Sequence, residues 1–135
     1  MRKETITYTD YNGVERTEDF YFNYNKAELM EKEIGTIGGY SEVVKKIIAA
    51  NDMPTLIKIF KELVLDAYGE KSADGKRFIK RKELSEAFSQ TEAYSILFTE
   101  LAMDSKKASD FVNGLIPSEM AKELNKKSKV SLPAN

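Results

Sequence analysis

The sequence contains neither cysteine nor histidine. Without cysteine there can be no disulfide, no thiolate metal site and no thiol nucleophile, which agrees with a reducing compartment. Without histidine the usual general base near neutral pH is missing, and Ser-His or Cys-His nucleophilic sites cannot be built. No window approaches the roughly 18 apolar residues that mark a transmembrane helix. The first residues, MRKETITYTD, lack the apolar run of a signal peptide. No internal repeat is visible. Charge of one sign is not in excess either. With 21 Lys and Arg against 22 Asp and Glu the net charge is −1, so nothing in the balance points to a polyanion or a membrane. The acidic residues mostly stand beside lysines on faces expected to be solvated, and no convergent set of perturbed groups can be read. The reading is therefore a protein that is not an enzyme and has no cofactor or metal site.

What is present is enough chain for one domain: 135 residues can bury a core large enough to fold independently. The stretch around which the rest is organised is Met53–Tyr68. Asp52 can cap a helix there, and Pro54 suits its first turn. Leu56, Ile57, Ile59, Phe60, Leu63, Val64, Ala67 and Tyr68 recur at helical spacing over an arc of roughly 180°. That width predicts a central helix touched on more than one side, ended by Gly69 as a C-cap. Leu65 lies outside the arc.

Residues 3–22 read as a β-hairpin. A two-residue Asn-Gly loop would put Ile6 and Tyr8 on the face opposite Phe20 and Phe22. A three-residue loop, Tyr11-Asn12-Gly13, pairs Asp10 with Val14 and gathers Ile6, Tyr8, Val14, Phe20 and Phe22 on one face. Register follows the hydrophobic face, so the three-residue loop is expected, with Gly13 in the left-handed bulge conformation. A lone hairpin is marginal in water and must dock on helices or pair with another chain.

Further along, Asn25-Lys26-Ala27-Glu28 has the form of a capping box. It opens a helix over about 26–34, with Leu29 and Met30 inward, stopped by Gly35. Gly38-Gly39 is a joint. A helix over 40–50 buries Val43, Val44, Ile47 and Ile48. Residues 69–80 are polar, with a turn at Ala73-Asp74-Gly75. Helices follow over 81–88 (Leu84 and Phe88 inward), about 92–103 (Tyr94, Leu97, Phe98 and Leu101 inward) and about 106–115 (Phe111, Val112 and Leu115 inward). Pro117 starts one further turn with Met120 and Leu124. The fold class is mainly α with a small β part: an N-terminal hairpin, then a compact bundle of about five to six short helices. Residues 1–124 form the single domain, and 125–135 read as a disordered basic tail.

Two stretches invite functional readings. Glu70, Ser72 and Asp74 fall at ligand positions of a calcium loop aligned on Gly75. Its twelfth position is Arg81, where a bidentate glutamate is required, so an ordinary turn is expected. Lys76, Arg77, Lys80, Arg81 and Lys82 surround Phe78 and Ile79 as a phosphate-contacting patch would. With the net charge near zero, a solvated loop paired with Glu70, Glu83 and Glu86 is the favoured reading, and likewise for Lys126, Lys127 and Lys129.

The segments FYFNYNKAELMEKE, GGYSEVVKKI, IKIFKELVLDAYGEKSADGKRFIK, FSQTEAYSILFTELAMD and FVNGLIP, in this order, resemble the tail assembly chaperones of long-tailed phages and prophages of Gram-positive bacteria. The resemblance covers about 19–117. Its most specific parts are Tyr68-Gly69-Glu70-Lys71-Ser72 with Phe78-Ile79-Lys80, and Phe88-Ser89-Gln90-Thr91-Glu92-Ala93-Tyr94. It implies a host-cytoplasmic protein that binds the long apolar tape measure protein before tail-tube subunits polymerise around it, and that is absent from the mature virion. Many such proteins also exist in a longer frameshifted form, and this chain would be the short one. No catalytic residues come with the family. The major tail protein is a possible further partner, and self-association is expected from the hairpin's free edges. Partner-binding residues are sought among apolar side chains off the core faces: Leu65, Ile96, Met103, Tyr11 and Tyr21. The alternative is that they meet other helices in a wide core. Competing functions are a small structural or head–tail completion protein of the virion and a nucleic-acid-binding regulator.

Overall fold

The structure, a computed structural model, describes residues 1–115, without the side chains of Val44, Ile47, Ile48, Ser109, Val112 and Asn113. Four strands and six helices follow one another: β1 (Arg2–Thr9), β2 (Glu15–Phe22), α1 (Lys26–Ile34), α2 (Tyr40–Ala49), α3 (Met53–Ala67), β3 (Tyr68–Lys71), β4 (Phe78–Ile79), α4 (Lys82–Ser89), α5 (Glu92–Met103) and α6 (Ser105–Leu115). This is an α+β fold, as the alternation at the start and the helical periods after it predict. The expected turn at Pro117 with Met120 and Leu124, the tail from Asn125 with Lys126, Lys127 and Lys129, and the inward placement of Val44, Ile47, Ile48 and Val112 lie outside the described residues.

β1 and β2 pair antiparallel from Arg2 opposite Phe22 to Thr9 opposite Glu15, the register of the three-residue loop. The Asp10 N–H donates to the Val14 carbonyl at 2.9 Å, and Gly13 has φ +82°. Asp10 Oδ1 accepts the N–H groups of Asn12 and Val14, and its Oδ2 takes Arg16 Nε at 2.6 Å. The paired faces then differ. Ile6, Tyr8, Phe20 and Phe22 turn toward the helices, while Thr5 bonds Asp19 and Thr7 bonds Thr17 across the solvated face. Val14, expected inward, is exposed because it sits at the hairpin tip, beyond the helices.

The hairpin is not isolated. β2 also pairs with β3 through Tyr21–Gly69 and Phe22–Tyr68, and β3 with β4, giving the order β1-β2-β3-β4. Residues 69–80, expected to be only a polar loop, thus form a small hairpin. Gly69 is not a C-cap glycine. Tyr68 is the cap, in extended conformation, and the chain runs straight from α3 into β3. A side chain at Gly69 would meet the Ile79 carbonyl oxygen and Phe78 Cε2, each at 2.7 Å, so the strand crossing there requires glycine.

α5 packs along β1, α6 joins both, and α4 lies between α3, α5 and β3. The core comprises Ile6, Phe22, Tyr24, Val64, Ala67, Phe88, Ala93, Leu97, Leu101, Phe111 and Leu115. Its centre is Phe88 rather than α3. The Phe88 ring stacks on Tyr68 at 4.3 Å and meets Phe20, Phe22 and Tyr94 at 5.2–5.6 Å. Helix α3 starts as expected, with Asp52 accepting from the Thr55 N–H, but only Val64 and Ala67 are fully buried. Met53 and Ile57, in its first two turns, are exposed. The wide apolar arc reflects a helix whose C-terminal half enters the core while its N-terminal half contributes to open surface.

Residues 23–24 tie the layers together. The Asn23 N–H donates to the Ala67 carbonyl and the Tyr24 N–H to the Leu115 carbonyl. The buried Tyr24 hydroxyl donates to the Leu63 carbonyl at 3.1 Å. Burial first, and then nearby Asp66, push the ionisation of Tyr24 far above the usual tyrosine range. Beyond Tyr24 the capping box forms in full, Asn25 and Glu28 each bonding the other's backbone N–H.

Candidate functional site: a charged groove and an open apolar lobe

Helix α1 lies at the margin of the core: Leu29 packs against it as expected, but no residue of the helix is fully buried. Besides Leu29, and Glu33 accepting from the Ser41 N–H and hydroxyl, two lysines hold it. Lys80 Nζ pairs with Glu28 Oε2 at 2.7 Å while resting 4.4 Å over the Tyr24 ring. Lys32 reaches toward Asp66 at 3.9 Å and lies 5.0 Å over the Tyr40 ring. These tethers leave a solvent-open groove of about 540 Å³ between α1, α3 and the start of α4. Leu65 and Ser85 are among its lining residues, and the Ser85 hydroxyl donates to the Leu65 carbonyl. Lys32, Lys80, Arg81 and Lys82 face Glu62 and Asp66 across it. Arg81 makes no ion pair among the described residues, whereas Lys82 pairs with Glu86 along its own helix.

The basic cluster is therefore only partly a solvated loop. Lys80 is tied down by Glu28, a partner outside the local acids, and Arg81 and Lys82 line the groove. The calcium-like stretch is an ordinary turn. Ser72 Oγ donates to Asp74 Oδ1, and the Lys76 N–H bonds that same oxygen. The Arg77 N–H donates to Ser72 Oγ, so both side chains serve the β3–β4 turn. These bonds hold the Asp74 carboxyl below the usual range, the Ser72 hydroxyl foremost.

The five candidate residues are not brought to one surface. Tyr11 is 75% exposed at the hairpin tip, its hydroxyl 3.2 Å from Glu92. Tyr21 is half-buried on the outer sheet face under Lys71, whose Nζ lies 4.4 Å from its ring centre. Leu65 lines the groove and also touches the core, and Ile96 packs against the core. Met103 is 83% exposed at the end of α5.

Sequence reasoning missed a different set. Met30, expected inward with Leu29, is exposed, and so is Ile34 one turn on, at 78%. Ile37, in the connector to α2, is 97% exposed. Met30 and Ile34 share one face of α1 by their four-residue spacing. A signal was present: Ile34 and Ile37 flank Gly35 among glycines and polar residues, where no apolar period can bury them.

The chain is an α+β domain with open apolar side chains at α1 and its connector and a charged groove beside them. Residues 1–134 match the family model described as phage tail assembly chaperone, and the chain belongs to that family. No curated protein and no solved structure matches the chain. No helix among the described residues is long and apolar enough to cross a membrane.

Proposed function

We propose that this tail assembly chaperone binds the tape measure protein and keeps it soluble until tail-tube subunits polymerise around it. Membership of the family carries the reading, and the unburied Met30, Ile34 and Ile37 support it. A tape measure exposes long apolar helical faces that aggregate when unsheathed. A partner with spare apolar surface covers them by helix-in-groove contacts, and several copies along one rod add avidity. The chaperone works in the host cytoplasm, by contact and not by catalysis, and leaves before the virion is complete. The major tail protein is a second candidate partner, and a prophage of a Gram-positive host is the proposed setting. Among the earlier candidates, Leu65, Tyr11 and Met103 remain suited to partner contact by exposure or groove position. Ile96 and Tyr21 are engaged within the fold.

The test is co-expression of the tape measure protein with and without this chain, followed by size exclusion. The expected result is a soluble tape measure that co-elutes with the chaperone. A tape measure equally insoluble in both cases contradicts the proposal. The outer edge of β1, unpaired among the described residues, favours a second reading, a virion protein that adds this strand to a neighbour's sheet. Detection of the chain in purified virions by mass spectrometry would support that reading instead.

A further inference from the structure

We propose that the groove at Leu65 seats an amphipathic helix of a second protein, with acidic residues on the flank facing α4 and basic residues on the flank facing α3. The inference deepens the contact-acting reading above by naming the chemistry of the segment bound.

The groove's shape argues against a small ligand. Small-molecule sites bury most of their ligand, and this groove of about 540 Å³ is open to solvent. Leu65 is the apolar residue of its lining and packs against the core behind, so an incoming apolar side chain has an apolar contact there. Its charges are segregated by element. Glu62 and Asp66 stand one turn apart on α3, while Lys80, Arg81 and Lys82 enter from the β4–α4 side. Lys80 is already satisfied by Glu28, Lys82 pairs with Glu86, and Lys32 reaches Asp66 from α1 at 3.9 Å, so the lining charges left without an ion pair among the described residues are Glu62 and Arg81. Arg81 has no acidic partner among the described residues and offers a planar fork to a carboxylate. A continuous polyanion fits poorly, because its phosphates would run against Glu62 and Asp66. A helix with opposite charges on its two flanks meets both walls at once and is fixed in orientation as well as place.

The probe is a fluorescein-labelled synthetic helix with leucines on one face, glutamates on one flank and lysines on the other, titrated with the full chain by anisotropy. Wild type should bind it, and binding should weaken with salt. Arg81→Glu, a surface change that leaves the melting curve unaltered, should weaken binding about tenfold. A peptide with lysine in place of the glutamates should bind Arg81→Glu better than it binds wild type. Leu65→Asp should abolish binding of both peptides. No binding by wild type, an unchanged affinity in Arg81→Glu, or full displacement of the peptide by oligothymidylate would each overturn the proposal. The functional reading fails separately. If Arg81→Glu keeps the tape measure soluble at wild-type level, the groove assignment is lost and the chaperone function stands. If wild type binds the peptide but never the tape measure, the converse holds.

Discussion

Phe88 stands where four rings from three other elements meet: Phe20 and Phe22 of β2, Tyr68 of β3 and Tyr94 of α5. Truncating such a residue removes its transfer free energy and leaves a cavity that a close-packed interior cannot fully close. Phe88→Ala should therefore cost about 3–5 kcal/mol, measured by urea denaturation. Phe60 sits in the middle of the helix expected to be central. It is only half-buried and meets one ring, Phe98, at 6.2 Å. Phe60→Ala should cost about half as much as Phe88→Ala, in proportion to the area it hides. A larger loss for Phe60 than for Phe88 would contradict the placement of the core. That Phe88 faces inward was legible from its spacing with Leu84. That it is the hub was not, because its partners come from residues 20–94 and their convergence is a tertiary fact.

At the scale of elements, the first hairpin was readable because two constraints agreed: alternation demanded one register, and Asp10 with Gly13 suited the turn that gives it. The second hairpin was not. Tyr68–Lys71 and Phe78–Ile79 are too short for a period, and β3 owes its pairing with Tyr21 and Phe22 to where α3 ends. The groove was equally hidden, since Lys32, Leu65 and Arg81 come from three separated segments. The Asp10 turn makes a pH prediction. The Arg16 hydrogen bond first, then the Val14 and Asn12 N–H groups, hold the Asp10 carboxyl below its usual range. A group whose folded value is depressed stabilises the fold above its unfolded value, about 3.9, and that stability is lost as pH falls through the folded value. Asp10→Asn should therefore melt below wild type at pH 7, and the gap should close as pH drops below about 3.9. A gap independent of pH would show that the carboxylate's charge is irrelevant to the turn.

At the scale of the molecule, the β1 edge and the lobe carrying Met30, Ile34 and Ile37 are left open among the described residues. β2 is covered by β3 only at Tyr21 and Phe22, so most of the expected free edge survives. An eight-residue edge strand without proline invites pairing with a second copy. Sedimentation should show concentration-dependent dimers or larger species, reduced by a Thr5→Pro change, whereas a monomer at high micromolar concentration would count against this. Family membership was legible from segments spread over most of the chain. The open lobe was legible only in part: Met30, at helical spacing with Leu29, read as core although it is exposed, whereas Ile34 and Ile37 beside Gly35 fall in no apolar period. The most direct test of the account uses that lobe. An Ile34→Asp, Ile37→Asp double variant should keep the wild-type melting curve, since both side chains are already in water. Co-expressed with the tape measure protein, wild type should hold it in the soluble fraction and co-elute with it, while the double variant should leave most of it in the pellet. A folded double variant that solubilises the tape measure as well as wild type does would contradict the claim that this face does the holding.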